Sequence, residues 1–182
     1  MINLFEKYKS LSVNGELICL GQQDTIVPYF CYPINATPIG FEGCIMYCFI
    51  DGCKDMVYAS NPESCADQNV YPLAANFEDF MRLILACGST NPVEQIVWMD
   101  NERFEKQLQE ENAIQTEQQK ELLDLLAHEL NLTPMEHPFA YVKELQANFD
   151  NSNIKYSNEY YDTLGLARPD GTITENCFKF EQ

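Results

Sequence analysis

Between residues 43 and 65 the chain reads GCIMYCFIDGCKDMVYASNPESC and holds Cys44, Cys48, Cys53 and Cys65, four of its eight cysteines. Such a density of thiols could serve a metal centre, a redox pair or a nucleophile, and each of these demands particular partners. Tetrahedral zinc takes close ligand pairs, typically a CxxC knuckle with a second Cys or His pair. No CxxC occurs in the chain, and its two histidines, His128 and His137, lie far downstream. A redox or nucleophilic thiol needs a lowered pKa or an adjacent base, and no basic cluster flanks these cysteines. From 44 to 50 the residues fall instead into two alternating files, Cys44, Met46, Cys48 and Ile50 against Ile45, Tyr47 and Phe49. That is the pattern of a strand apolar on both faces. Cysteine here acts as a small hydrophobe.

Other chemistry is sparse. Neither GxxxxGK[ST] nor GxGxxG, the glycine patterns that let backbone N–H groups approach phosphate, occurs among the eight glycines. The carboxylate pairs Glu78 and Asp79, and Glu110 and Glu111, are adjacent in sequence. On a helix such neighbours point about 100° apart, so they form no acid/base dyad by themselves. His128 sits between Leu126 and Leu130 on an amphipathic segment, the place of a surface or core-edge histidine. Trp98, the single tryptophan, is a packing residue or an interface anchor. On these grounds no catalytic residue, metal ligand or cofactor is assigned.

The elements that must carry these residues follow from periodicity. Residues 16–21 (ELICLG) and 27–33 (VPYFCYP) are short and apolar, bounded by Gly, Pro, Asn or Asp, and are expected to be strands. Residues 44–50 form a third, Asp51-Gly52 supplies a tight hairpin turn, and 54–59 (KDMVYA) returns as the fourth. LFEKYKSL suggests a short N-terminal helix. After Pro72, Leu73, Phe77, Phe80, Met81, Ile84 and Leu85 share one helical face, and Gly88 is placed as its C-cap. Asn91-Pro92 marks a boundary, beyond which 93–132 reads as helix, stopped by Thr133-Pro134. A further short helix is expected after His137-Pro138, and CFKFE at 177–181 as a final strand. The predicted class is α+β: an antiparallel meander covered by a helix over 1–91, with an acidic, mainly helical extension over 92–182 that packs on it.

The 182 residues carry 11 Lys+Arg against 28 Asp+Glu, a formal net charge of −17. Residues 1–91 hold 4 basic and 10 acidic residues, net −6, and 92–182 hold 7 and 18, net −11. Such a surface repels phosphate backbones, which argues against nucleic-acid binding, and it speeds encounter with a basic protein. The N-terminus shows no basic start followed by an apolar run, and no window holds about 18 uncharged apolar residues, so a cytoplasmic address without membrane insertion is expected. In a reducing compartment the eight cysteines are free thiols or ligands rather than a disulfide framework.

From Thr25 to about Leu85 the chain resembles the SUKH superfamily of bacterial toxin-immunity proteins and a fungal regulator of cell-wall synthesis. The similar features are IVPYFCYP, the apolar strand IMYCFID ending in Asp51, the return strand DMVYAS, an acidic loop, and the helix LAANFEDFMRLIL. Val13-Asn14-Gly15 echoes the family's N-terminal signature faintly, and the residues beyond the helix have no counterpart in it. The resemblance implies an α+β protein-binding module without enzymatic activity, many relatives being immunity proteins that bind a cognate toxin, commonly a nuclease. It matches Asp51 to a family aspartate and assigns Phe77 and Phe80 to the core. The candidate partner-binding residues are Asp51, Asp55, Glu63, Asp67 and Trp98. Two other classes stay open: a regulatory or structural oligomer built through the leucine-rich residues 117–132, and a small Cys- or metal-dependent enzyme that folding completes with a histidine.

Overall fold

A strand that is apolar on both faces needs a cover on each, and residues 45–50 obtain both. The computed structural model describes residues 3–23, 25–64 and 68–172. Four strands, β1 (Ala36–Glu42), β2 (Ile45–Ile50), β3 (Val57–Ser60) and β4 (Val70–Ala74), form an antiparallel meander in the order β1-β2-β3-β4. Helix α1 (Leu4–Ser10) and a 3-10 helix (Gly15–Ile18) precede the sheet. Helices α2 (Phe77–Cys87), α3 (Thr90–Gln95), α4 (Asn101–Ile114), α5 (Glu117–Leu130), α6 (Pro138–Ala147) and α7 (Asn158–Leu164) follow it. The protein is α+β.

The two files of β2 go to two different cores. Tyr47, flanked by Ile45 and Phe49, joins Ala59 and Leu73 against Phe77, Phe80, Met81 and Ile84 of α2. Met46, Cys48 and Ile50 join Phe41, Tyr58 and Val70 on the opposite face, which Tyr32, Phe149, Ile154 and Tyr156 close. Register keeps the files apart, since Tyr47 pairs with Ala59 and Cys48 with Tyr58. Helix α2 is set by its caps: Asn76 accepts from the Asp79 amide at 2.8 Å, and Gly88 ends the helix at φ +84, a conformation that glycine adopts without strain.

The first core also contains Phe104 of α4, Leu122, Leu126 and Leu130 of α5, and Val142 of α6. The leucine row of α5 is thus buried within its own chain, and Leu125 is the leucine that this helix leaves exposed. Tyr141 of α6 ties the helices to the sheet end, accepting from the Ala75 amide and donating to Asp79, both at 2.9 Å.

Several elements differ from expectation. Residues 16–21 are not a strand. Gly15–Ile18 is a 3-10 helix, Cys19 takes a left-handed φ of 55, and only Gly21 pairs with the sheet, exchanging bonds of 2.9 and 2.8 Å with Phe41. Ile18 and Leu20 are apolar because they plug the core. Residues 27–33 are a turn, held where the Tyr32 hydroxyl donates to the Cys44 carbonyl at 2.5 Å. Asp51-Gly52 opens a longer connection in which Lys54 also has positive φ, so the return strand begins at Val57.

The other two strands carry Pro38 and Pro72, residues that argue against a central strand. Both lie on the sheet's edge strands, and Pro38 stands at a register shift in the pairing of β1 with β2, the places where a strand admits proline. The expected helix over 93–132 is interrupted, because Asp100 and Thr116 each cap a new one. Pro92 lies inside the first turn of α3 rather than before it. The strand expected at 177–181 falls outside the described residues.

Candidate functional site

Asn91, Glu94, Gln95 and Trp98 recur at intervals of three and four, so α3 and the 3-10 turn that extends it (Ile96–Trp98) present all four on one face. The end of β1 supplies Glu42, the turn into β2 supplies Cys44, and the loop after β3 supplies Asn61 and Glu63. Together they line a groove of about 380 Å³. Trp98 is 41% exposed at its edge, whereas Glu94 is 2% exposed at its floor.

Asn61 organises this floor. Its side-chain amide donates to Glu94 Oε1 at 2.7 Å, and its side-chain oxygen accepts from the Glu63 amide at 2.9 Å. The Tyr71 hydroxyl donates to the same Glu94 oxygen. Burial and the Glu94 charge push the Tyr71 hydroxyl well above its usual pKa, so it remains a donor. The buried Tyr47 donates to Glu42 Oε2 at 3.2 Å. Among the described residues, none of Glu42, Glu63 and Glu94 pairs with a cation, and no lysine or arginine lines the groove.

Glu42 shows the electrostatic consequence. Burial raises its pKa, the Glu94 and Glu111 carboxylates add to the rise, and hydrogen bonds from Cys19 and Tyr47 offset part of it. A carboxyl whose folded pKa lies above its unfolded one destabilises the fold when ionised. That cost is full above the folded value, shrinks as pH falls through it, and is gone below the unfolded value of about 4.3. Glu42→Gln is therefore expected to raise the melting temperature at about pH 7 and to leave it unchanged near pH 4. Thermal melts at the two pH values check this, and a gain of equal size at both would show that ionisation is not its source.

The candidate residues separate into two groups. Glu63 and Trp98 meet in the groove. Asp51 and Asp55 are exposed in the connection between β2 and β3, where Asp55 borders a hollow with Asn3, Leu4, Phe49, Phe77 and Glu78. Asp67 lies outside the described residues. Reasoning from sequence missed Glu42, Asn61 and Glu94. The spacing of Asn91, Glu94, Gln95 and Trp98 was a usable signal for Glu94, but nothing local links it to Asn61 or Glu42.

A larger hollow of about 740 Å³ lies between the β2–β3 connection and α6, with Met56, Tyr58, Tyr141 and Phe149 in its wall. Lys54, Glu144 and Asp150 also line it, and this mixed charge selects no class of occupant. The smaller groove, lined by one sign of charge, does.

Cys44 lines the groove and Cys19 bonds to Glu42, but burial raises the pKa of both, so neither is an activated thiol. Burial pushes Cys48 and Cys87 up to about 12, and burial together with the Glu42 charge does the same to Cys19. His128 and His137 are exposed on the helical part of the chain. No group of three or more His, Cys, Asp or Glu side chains among the described residues is arranged to hold a metal ion. Iodoacetamide labelling of the native protein, mapped by mass spectrometry, is expected to leave Cys48 and Cys87 unmodified until denaturant is added. Rapid labelling of either in the native state would contradict the burial.

Comparison of the chain with family models, with curated proteins and with solved structures finds no match. No helix among the described residues is long and apolar enough to cross a membrane.

Proposed function

We propose that this protein is a non-enzymatic protein-binding module of the immunity type. It neutralises a basic partner, such as a toxin with a nucleic-acid-binding cleft, by covering that cleft with acidic surface. The observation that carries the reading is the groove that Glu42, Glu63 and Glu94 line together with the exposed Trp98, with no cation among the described residues that line it. An exposed tryptophan beside a buried carboxylate is the composition of an interface anchor, since aromatic side chains dominate binding energy and complementary charge sets encounter rate. The net charge of −17 extends the same sign over the molecule. The resemblance of residues 25–85 to the SUKH superfamily supports the immunity assignment, and the buried, high-pKa thiols favour binding over nucleophilic catalysis.

The test is capture of partners from a lysate of the protein's own source with the tagged chain, at about 0.1 M and about 1 M salt, between which the Debye length falls from ~10 Å to ~3 Å. A basic protein retained at low salt, released at high salt, and inhibited in its own activity by stoichiometric addition of this chain is the expected result. Recovery of nothing at either salt, or of a partner whose activity is untouched, overturns the immunity reading.

A further inference from the structure

We propose that the groove beside Trp98 is an arginine receptor: it takes one arginine side chain of the protein partner, with the guanidinium stacked on the indole and paired with Glu94. The inference rests on the protein-binding reading above and specifies what that partner must present.

Glu94 is the strongest ground for it. A carboxylate that is 2% exposed is costly to hold without a cation. Both of its donors, Asn61 and Tyr71, go to Oε1. Oε2 accepts no hydrogen bond from the described residues and belongs to a side chain that lines the groove. The carboxylate is therefore oriented by one oxygen and open at the other, as a receptor for a donor from outside must be.

Trp98 lies one helical turn beyond Glu94, so its ring and the open carboxylate share a face. Glu42 and the exposed Glu63 line the same groove and add charge of the same sign. An indole face next to a carboxylate selects a cation that is flat and weakly hydrated. Guanidinium meets both conditions, stacking on the aromatic face while its in-plane N–H groups reach a carboxylate. A lysine ammonium is compact and strongly hydrated and gains less from the ring. A hard metal ion would need several converging oxygens, and the described residues offer no such group.

Trp98 is the only tryptophan, so its fluorescence reports this groove alone. Titration with the capped tripeptides Gly-Arg-Gly and Gly-Lys-Gly is expected to change the Trp98 emission with both, the arginine peptide binding about tenfold more tightly. Glu94→Gln keeps an acceptor for Asn61 and Tyr71 but removes the charge, and should weaken the arginine peptide by about tenfold or more. Glu63→Gln at the exposed rim, where folding is not at stake, should weaken it less but measurably, and Trp98→Leu, followed by calorimetry, should abolish the preference for arginine over lysine. Thermal melts establish that each variant is folded. Equal affinity for the two peptides, no response to either, or full affinity in folded Trp98→Leu overturns the inference. A basic partner that Glu94→Gln and Trp98→Leu still bind at full strength overturns it while leaving the protein-binding reading in place. Selective arginine binding without any protein partner at either salt overturns that reading and leaves the groove's chemistry standing.

Discussion

Replacing Phe80 by alanine is expected to lower the free energy of unfolding by about 3–5 kcal/mol, against a typical total of about 5–15 kcal/mol for a domain. Phe80 is fully buried at the contact between α2 and the sheet, with ring centroids 5.8 Å from Tyr47 and 6.4 Å from Phe77. Its removal leaves a void between a strand and a helix that are each held elsewhere, by strand pairing on one side and by the Asn76 and Gly88 caps on the other. Neither surface can collapse fully into the gap, so the cavity cost adds to the lost transfer free energy. Urea denaturation followed by far-UV circular dichroism measures this as a lower midpoint with an unchanged slope. A loss below about 1 kcal/mol would mean that the helix–sheet contact is not where the fold draws its stability.

Gly15→Ala carries the second large effect, although it adds a single methyl group. A Cβ at this position would stand 2.1 Å from the Leu20 carbonyl oxygen and 2.9 Å from its carbon. Those are backbone atoms in a segment already fixed by the bond from the Leu20 amide to the Gly15 carbonyl at 2.9 Å, so no side-chain rotation relieves the clash. Relief requires the 3-10 turn (Gly15–Ile18) to open, which would withdraw Ile18 and Leu20 from the core. The expected cost is about 3 kcal/mol, at the upper end of overpacking effects, read from the same denaturation curves. Asn14→Ser, which retains a side-chain acceptor for the Glu16 amide that Asn14 now caps, is expected to be nearly neutral and serves as the control. Equal stability of Gly15→Ala and the parent would show that the close approach does not exist in solution.

The two variants probe the frame on which the groove stands. Helix α2 leads through Gly88 directly into α3, which carries Glu94, and Thr90 at the start of α3 donates to the Cys19 carbonyl at 2.7 Å. The packing of the 3-10 segment under the sheet and the placement of α3 are thereby linked. Loss of either anchor would move the floor of the groove relative to Glu42 and Asn61, which arrive on separate strands and loops.

What the sequence determined by itself was the local periodic content: the two-file strand at 45–50, helix α2 with Gly88 as its stop, α1, and the short helix after Pro138. These were legible because a two-residue or 3.6-residue repeat of apolar side chains is a property of neighbours along the chain. Tertiary context decided the rest. Pro38 and Pro72 became strand residues because each lies on an edge strand, Pro38 at a register shift, positions that cannot be read from the residues around them. The apolar run at 16–21 became a core plug rather than a strand because Gly15 admits a tight turn under β1. The groove is a more distant consequence still. Glu63 and Trp98 were visible as an acid and an aromatic, but Glu94 acquires its meaning only when Asn61 and Tyr71, 33 and 23 residues away, donate to it and the fold buries it at the groove. A carboxylate's burial and bonding are set by which distant segments pack upon it, and that is a property of the folded chain alone.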